Sequence, residues 1–308
     1  MASNNANPKT DAFIADRALG ALVGAVIGDA LGATLEFTLP DPLRFHSEML
    51  GGGPLRLHPG EWTDDTAMAL ALSDTLIRED AFDPADFMSR LADWMRYGDF
   101  SCQGYCADIG RSTLAAVQRF IETGEALCRH EHVDGAGNGS LVRLAPVALR
   151  HLHDPEEAER VSRLQSICTH SARAASDACG FVTTMSRELI LGMPDATAPR
   201  QLHPGAHPEI AAIAAGSYFS LRRLNPTGYV ADTLETAMWA LHHTEDFEQA
   251  LIVATSLGGD ADSIGAVTGM LAGATYGMTT MPDRWLRPLA WRDRILDIGR
   301  RLLQLAHD

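Results

Sequence analysis

Two short acidic runs, far apart in the chain, hold the residues best suited to chemistry: Thr63, Asp64, Asp65 and Thr66 in GEWTDDTAM, and Asp260, Asp262 and Ser263 in GGDADSIG. Each stands just ahead of an apolar stretch with helical period, so each reads as a loop feeding a helix. Alone, the first run is adequately explained as a cap, because Thr or Asp at a helix start accepts backbone N–H bonds and suits the positive end of the dipole. Together, the runs offer the carboxylates of Asp64, Asp65, Asp260 and Asp262 and the hydroxyls of Thr63 and Ser263. About four negative charges in one place call for roughly two divalent cations, and hard oxygen donors favour Mg²⁺, Mn²⁺ or Ca²⁺ over zinc. Buried without metal, the carboxylates would repel one another and take up protons more readily.

Other segments carry weaker signals. In GAGNGSLVR, Gly137, Asn138, Gly139 and Arg143 read as a loop entering a helix, where amides and the helix start can hold a diphosphate; a plain Gly-Asn turn is the alternative. Asp29 suits either a helix cap or a partner standing behind a ligand. Cys128, His130 and His132 in CRHEH lack a second ligand pair at zinc spacing, so no zinc site is expected. Gly269, Met270 and Gly273 suit close helix packing better than chemistry.

The elements that must position these residues read as helices almost throughout. Residues 11–35 are apolar for about six turns and look buried on most sides. Asp83-Pro84 and Asp154-Pro155 are start signals, and after the first Phe87, Leu91, Trp94 and Met95 line one face. Met68, Leu72 and Leu76 follow the first acidic run, while Leu234, Met238 and Leu241, and Ile295, Ile298, Leu302 and Leu305, form later stripes. Irregular stretches fall at 38–62, 97–104, 125–140 and 193–208, and no repeat at solenoid periods appears. The expectation is one all-α domain over 11–308 after a flexible segment, 1–10.

Composition narrows the function classes. With 308 residues and 46% hydrophobic content the chain can bury a continuous core. Forty acidic against 25 basic side chains give a formal charge of −15 and no basic run, so nucleic acid is an unlikely partner. Five cysteines, an odd number without a dense framework, suit the reducing cytoplasm. No signal pattern or membrane span is expected, because the small-apolar runs are short or broken by Asp29 and glycines.

Four ordered motifs, GDALGATLEF (28–37), TDDT (63–66), GNGSLVR (137–143) and GGDADSIGAVTGMLAGATYG (258–277), make the chain resemble the ADP-ribosylglycohydrolases, most closely the branch that activates dinitrogenase reductase. The resemblance runs from about residue 17 to near the C-terminus. It implies a compact orthogonal helical domain with two Mg²⁺ or Mn²⁺ ions, removing ADP-ribose from modified side chains, arginine above all. On the matching positions it implies that Thr63, Asp64, Asp65, Asp260, Asp262 and Ser263 bind metal, with Ser263 standing where relatives often have threonine. It gives Asp99 and Glu36 the acid/base roles, and Gly137, Asn138, Gly139, Arg143, His170 and Tyr229 contact with ADP-ribose. The second histidine that often follows the first in that branch is absent; Arg173 stands nearby instead. The implied partner is an ADP-ribosylated protein. Two other readings stay open: a protein that binds ADP-ribose and blocks a partner without turnover, as an immunity or sensor protein would, and a hydrolase of the same fold acting on serine-, nucleic-acid- or small-molecule-linked ADP-ribose.

Overall fold

The apolar run near the start of the chain forms α1 (Asp11–Gly32), capped by Thr10, whose hydroxyl accepts from Phe13 N at 3.3 Å. The computed structural model describes residues 10–39, 41, 43–79, 81–129, 135–194, 196–221 and 223–307. The flexible segment expected at 1–10 therefore lies, apart from Thr10, outside the described residues, as do His130 and His132. The helices that follow are α2 (Asp64–Arg78), α3 (Pro84–Tyr97), α4 (Arg111–Thr123), α5 (Ala145–Arg150), α6 (Pro155–Thr169), α7 (Arg173–Ile190), α8 (Pro208–Ala214), α9 (Val230–His242), α10 (Phe247–Ser256), α11 (Ala261–Tyr276), α12 (Asp283–Leu286) and α13 (Arg292–Leu305). Among the described residues there are isolated bridges but no strand, so the chain is all-α. One continuous core joins nearly all the helices.

The caps form where their residue types direct them. Asp83 accepts from Ala85 N at 2.8 Å to open α3, and Asp154 accepts from Glu157 N at 3.0 Å to open α6. Phe87, Leu91 and Trp94 are buried on α3, Met68, Leu72 and Leu76 on α2, and Leu234 and Met238 on α9.

The central pair is α1 against α11, and glycine sets its distance. A methyl group on Gly28 would stand 1.9 Å from the Gly265 carbonyl oxygen, one on Gly24 2.2 Å from that of Gly269, and one on Gly273 2.0 Å from that of Gly20. The helices thus run antiparallel in backbone contact, and any side chain at these positions would force them apart. At the end of this seam Gly32 meets Ala261, where a methyl would lie 2.1 Å from the Ala261 oxygen. The last turn of α1, which holds Asp29, is thereby pinned beside the first turn of α11, which holds Asp262. The 11–35 stretch is apolar enough to span a bilayer, with mean hydropathy 1.7, yet 83% of that window is buried inside the protein. It is the core helix of a folded domain.

Candidate metal centre

Asp29 organises the first acidic run from outside it. Its Oδ1 accepts from Thr63 N at 2.9 Å, and its Oδ2 accepts from Thr66 N at 3.0 Å and from the Thr66 hydroxyl at 2.6 Å. A fully buried carboxylate on α1 thus does for α2 what an N-cap normally does, and it also fixes how Thr63, Asp64 and Asp65 project. Burial pushes the Asp29 carboxyl above its ordinary range, and the bonds from Thr66 and Thr63 oppose that push. Asp29 thus fills a cap role for α2 from a neighbouring helix.

The carboxylates of Glu36, Asp260 and Asp262 each offer an oxygen within 4.8 Å of the others. The Thr63 hydroxyl approaches Asp262 Oδ2 at 3.4 Å, and Ser263 bonds both Asp65 and Asp260, which ties the two distant runs together. Asn138 Nδ2 donates to Asp260 Oδ2 at 2.6 Å and to the Thr233 hydroxyl at 2.8 Å, setting the Asp260 rotamer from the glycine loop. Asp64 is held by a backbone N–H bond from Gly110, at the start of α4. Three helix starts, those of α2, α4 and α11, therefore meet here, and their positive ends favour anions.

Charge in the cluster is far from balanced. Burial, then the charges of Asp108, Asp64 and Asp260, push Glu36 up to about 8. Burial, then Asp108, Asp29 and Asp260, do the same to Asp64, also to about 8. Asp65 and Asp262 lie well above the carboxylate range, from burial first and neighbouring carboxylates second. Two buried oxygens, Glu36 Oε2 and Asp65 Oδ2, have no hydrogen-bond partner. Buried polar atoms normally find one, so orphaned carboxylate oxygens among like charges fit a hard divalent cation.

Among the residues given acid/base roles, Glu36 is in the cluster and Asp99 is not. Asp99 is exposed in the turn after α3. Asp108, half-buried later in the same connection, is the carboxylate whose charge heads the like charges acting on Glu36 and Asp64. Reading the sequence missed it, although CADIG places an acid just ahead of the Gly110 cap of α4, the same grammar as TDD ahead of α2.

The glycine loop is built, but not as a helix-start anion site. Gly137 pairs with Tyr229 in an isolated bridge, and Val230 N donates to Ala136 O at 3.0 Å. His170 lies beneath: a methyl on Gly139 would stand 3.0 Å from its Cε1, and one on Gly137 3.4 Å from its Nε2. Burial, aided by Arg143, pulls His170 down to about 3, so the ring is neutral, with Nδ1 2.7 Å from the Thr169 hydroxyl. Arg143 corrects the expectation that it touches substrate. Its guanidinium is fully buried, donates to Gln165 Oε1 at 2.7 Å, Gln165 O at 3.0 Å and Thr169 Oγ1 at 2.8 Å, and lies over the Phe87 ring. The helix that follows, α5, is a single buried turn and a half, so its start does not face solvent either. Tyr229 is half-buried, and its hydroxyl bonds Glu209. Arg173, where the branch often has its second histidine, lies 3.7 Å from the buried Asp177 carboxylate.

Comparison with known proteins decides what this arrangement belongs to: the ADP-ribosylglycohydrolase family model matches residues 10–308. The chain belongs to the ADP-ribosylglycohydrolase family. It is 40% identical over 296 residues to an ADP-ribosylarginine hydrolase, Tri1, of Pseudomonas putida, covering 94% of this chain and 79% of that one. It is 34% identical over 284 residues to the ADP-ribosyl-[dinitrogen reductase] glycohydrolase of Rhodospirillum rubrum, covering 91% and 92%. A solved structure described as an ADP-ribosylglycohydrolase-related protein complex superposes with a TM-score of 0.84 at 37% identity, covering 96% of this chain and 99% of that one. As an ADP-ribosylglycohydrolase, the chain is a glycosidic hydrolase whose acidic cluster sits where three helix starts and the end of the α1–α11 seam meet.

Proposed function

We propose that the protein removes ADP-ribose from arginine side chains of modified proteins, using two divalent cations, Mg²⁺ or Mn²⁺. The observation that supports this most is the buried cluster with orphaned oxygens on Glu36 and Asp65. Thr63, Asp64, Asp65, Asp260, Asp262 and Ser263 would hold the cations, with Glu36 beside them. Bound there, such ions supply Lewis acidity toward the ribose hydroxyls and neutralise the carboxylates.

The remaining chemistry falls to the chain itself. Cleaving an N-glycosidic bond develops oxocarbenium-like charge at the anomeric carbon of the distal ribose. Water adds to that carbon as its bond to the guanidine breaks, and the guanidine departs with a proton. Asp108 takes the proton-transfer role that the resemblance gives to Asp99, because it is the loop carboxylate that faces the cluster. Asn138 keeps Asp260 oriented, the backbone of Gly137 and Gly139 holds the diphosphate above the neutral His170, and Tyr229 buttresses that loop beside the adenosine end. The names of the relatives support arginine as the acceptor: one is called an ADP-ribosylarginine hydrolase. The free cysteines fit a cytoplasmic setting.

The test offers the purified protein ADP-ribosylarginine and ADP-ribosylserine peptides, with Mn²⁺ or Mg²⁺ and with EDTA. Metal-dependent release of ADP-ribose from arginine is the expected result. Binding without turnover, or release from serine alone, would contradict the reading.

A further inference from the structure

The chain leaves the cluster through an apolar segment that the proposed chemistry does not use. Phe37, Leu39, Leu43 and Phe45 are 72%, 84%, 91% and 75% exposed, and Leu50 closes the same stretch. These five make up half of the large apolar side chains exposed among the described residues. A soluble protein rarely gathers such side chains unless something covers them.

The stretch is held firmly at its described residues. Phe37 N donates to Gly259 O at 2.7 Å and Gly259 N returns a bond to Thr38 O at 2.9 Å, with Phe37 in the left-handed region at φ 57°. Arg44 braces it from within, donating to the Thr38 hydroxyl at 2.8 Å and to Leu39 O at 3.1 Å. His46 N donates to the Ser256 hydroxyl at 2.9 Å, Trp285 Nε1 donates to Ser47 O at 2.9 Å, and Met49 is buried. With these anchors, the outward side chains cannot fold back into the core without breaking several hydrogen bonds.

Position then points to the occupant. The segment begins at the residue after Glu36 and is bonded to Gly259, the residue before Asp260, so it borders the cluster directly. The riboses and diphosphate of ADP-ribose gain nothing from leucine and phenylalanine, and its adenine, the one apolar part, is assigned beside Tyr229; the polypeptide carrying the modified side chain arrives from outside the site. We infer that Phe37, Leu39, Leu43, Phe45 and Leu50 form a docking rim for the modified protein, selecting acceptor arginines flanked by apolar side chains. This rests on the proposed arginine hydrolase activity.

The test compares wild type with the triple variant Leu39→Ser, Leu43→Ser, Phe45→Ser, whose side chains contribute nothing to the core. Three substrates are used: free ADP-ribosylarginine, an ADP-ribosylarginine peptide flanked by leucine and phenylalanine, and one flanked by glycine and serine. Wild type should favour the apolar-flanked peptide over the polar one by about tenfold in kcat/KM, mainly through KM. The variant should lose that preference and hydrolyse free ADP-ribosylarginine at the wild-type rate. The inference is overturned if wild type shows no preference, if the variant keeps it, if the variant loses activity equally on all three, or if wild type sediments as a dimer and the variant as a monomer, which would make the rim a contact between copies. A wild type inert toward free ADP-ribosylarginine would instead defeat the activity on which the rim depends.

Discussion

At the scale of single residues, Asp65 carries more of the argument than its neighbours. Its Oδ2 is buried without a partner, and burial plus surrounding carboxylates oppose its charge. A carboxylate retained against that cost is expected to serve a ligand rather than the fold. Asp65→Asn should therefore lower ADP-ribose release by more than about a hundredfold, yet raise the metal-free Tm by about 2 °C as repulsion is relieved; enzyme assay and calorimetry on the same preparation check both. A second pair of variants separates two aspartates of one connection. Asp108→Asn should cost about a hundredfold or more in kcat with helicity unchanged, whereas Asp99→Asn, at an exposed turn, should stay within about twofold. Steady-state kinetics decide between them. Both acidic runs were legible from residue type and spacing, because their carboxylates crowd at helix starts. Asp108 was not, since a single aspartate ahead of the Gly110 cap is a fainter mark than an acidic pair; only folding sets it against Glu36 and Asp64. Arg143 misled for the opposite reason: a motif position shows which residue is present but not which way its side chain turns, and here it turns into the core to satisfy Gln165 and Thr169.

Among the elements, the α1–α11 seam positions the centre. Its glycines bring two backbones into contact and deliver Asp29 to α2 and Asp262 to the cluster. Gly28→Ala would place a methyl 1.9 Å from the Gly265 oxygen, an overlap with backbone that no rotamer change relieves. The expected cost is about 3 kcal/mol or more, lowering Tm by several degrees, with metal affinity falling as well because the ends of both helices shift. Gly110→Ala, where a methyl meets open space and only the N-cap preference of α4 is lost, is the matched control and should lower Tm far less. The helices themselves were readable: Asp83, Asp154 and Thr63 start α3, α6 and α2 as their types direct. Close packing at Gly269 and Gly273 was legible too, but the partner helix was not, because small residues reveal that something approaches without naming what.

On the scale of the whole molecule, the acidic cluster makes stability depend jointly on pH and metal. Glu36 and Asp64 ionise in an unfolded chain near about 4 and in the metal-free fold near 8. The fold thus keeps protons that the unfolded chain has released, a contribution fully present below about pH 4 and lost as pH rises through about 8. His151 and His170, pulled down to about 4 and 3 by burial, act in the opposite sense, but only below about pH 6.5, where the unfolded chain takes up their protons. Between about pH 6.5 and 8.5 metal-free Tm should fall with rising pH, and the Tm gained on adding Mn²⁺ should grow, since binding no longer has to displace protons; scanning calorimetry at matched ionic strength follows both. The domain's helical class was legible throughout because apolar period and caps are local signals, whereas the convergence of three helix starts depends on contacts far apart in sequence. The proposed hydrolysis requires the two distant acidic runs to hold divalent cations, without which ADP-ribosylarginine is not cleaved. The direct measurement is ADP-ribose release from ADP-ribosylarginine by EDTA-stripped protein titrated with Mn²⁺, beside Asp262→Ala: stripped protein should be inert, wild type should recover fully and Asp262→Ala should not, whereas full activity in the stripped protein or in Asp262→Ala would contradict the account.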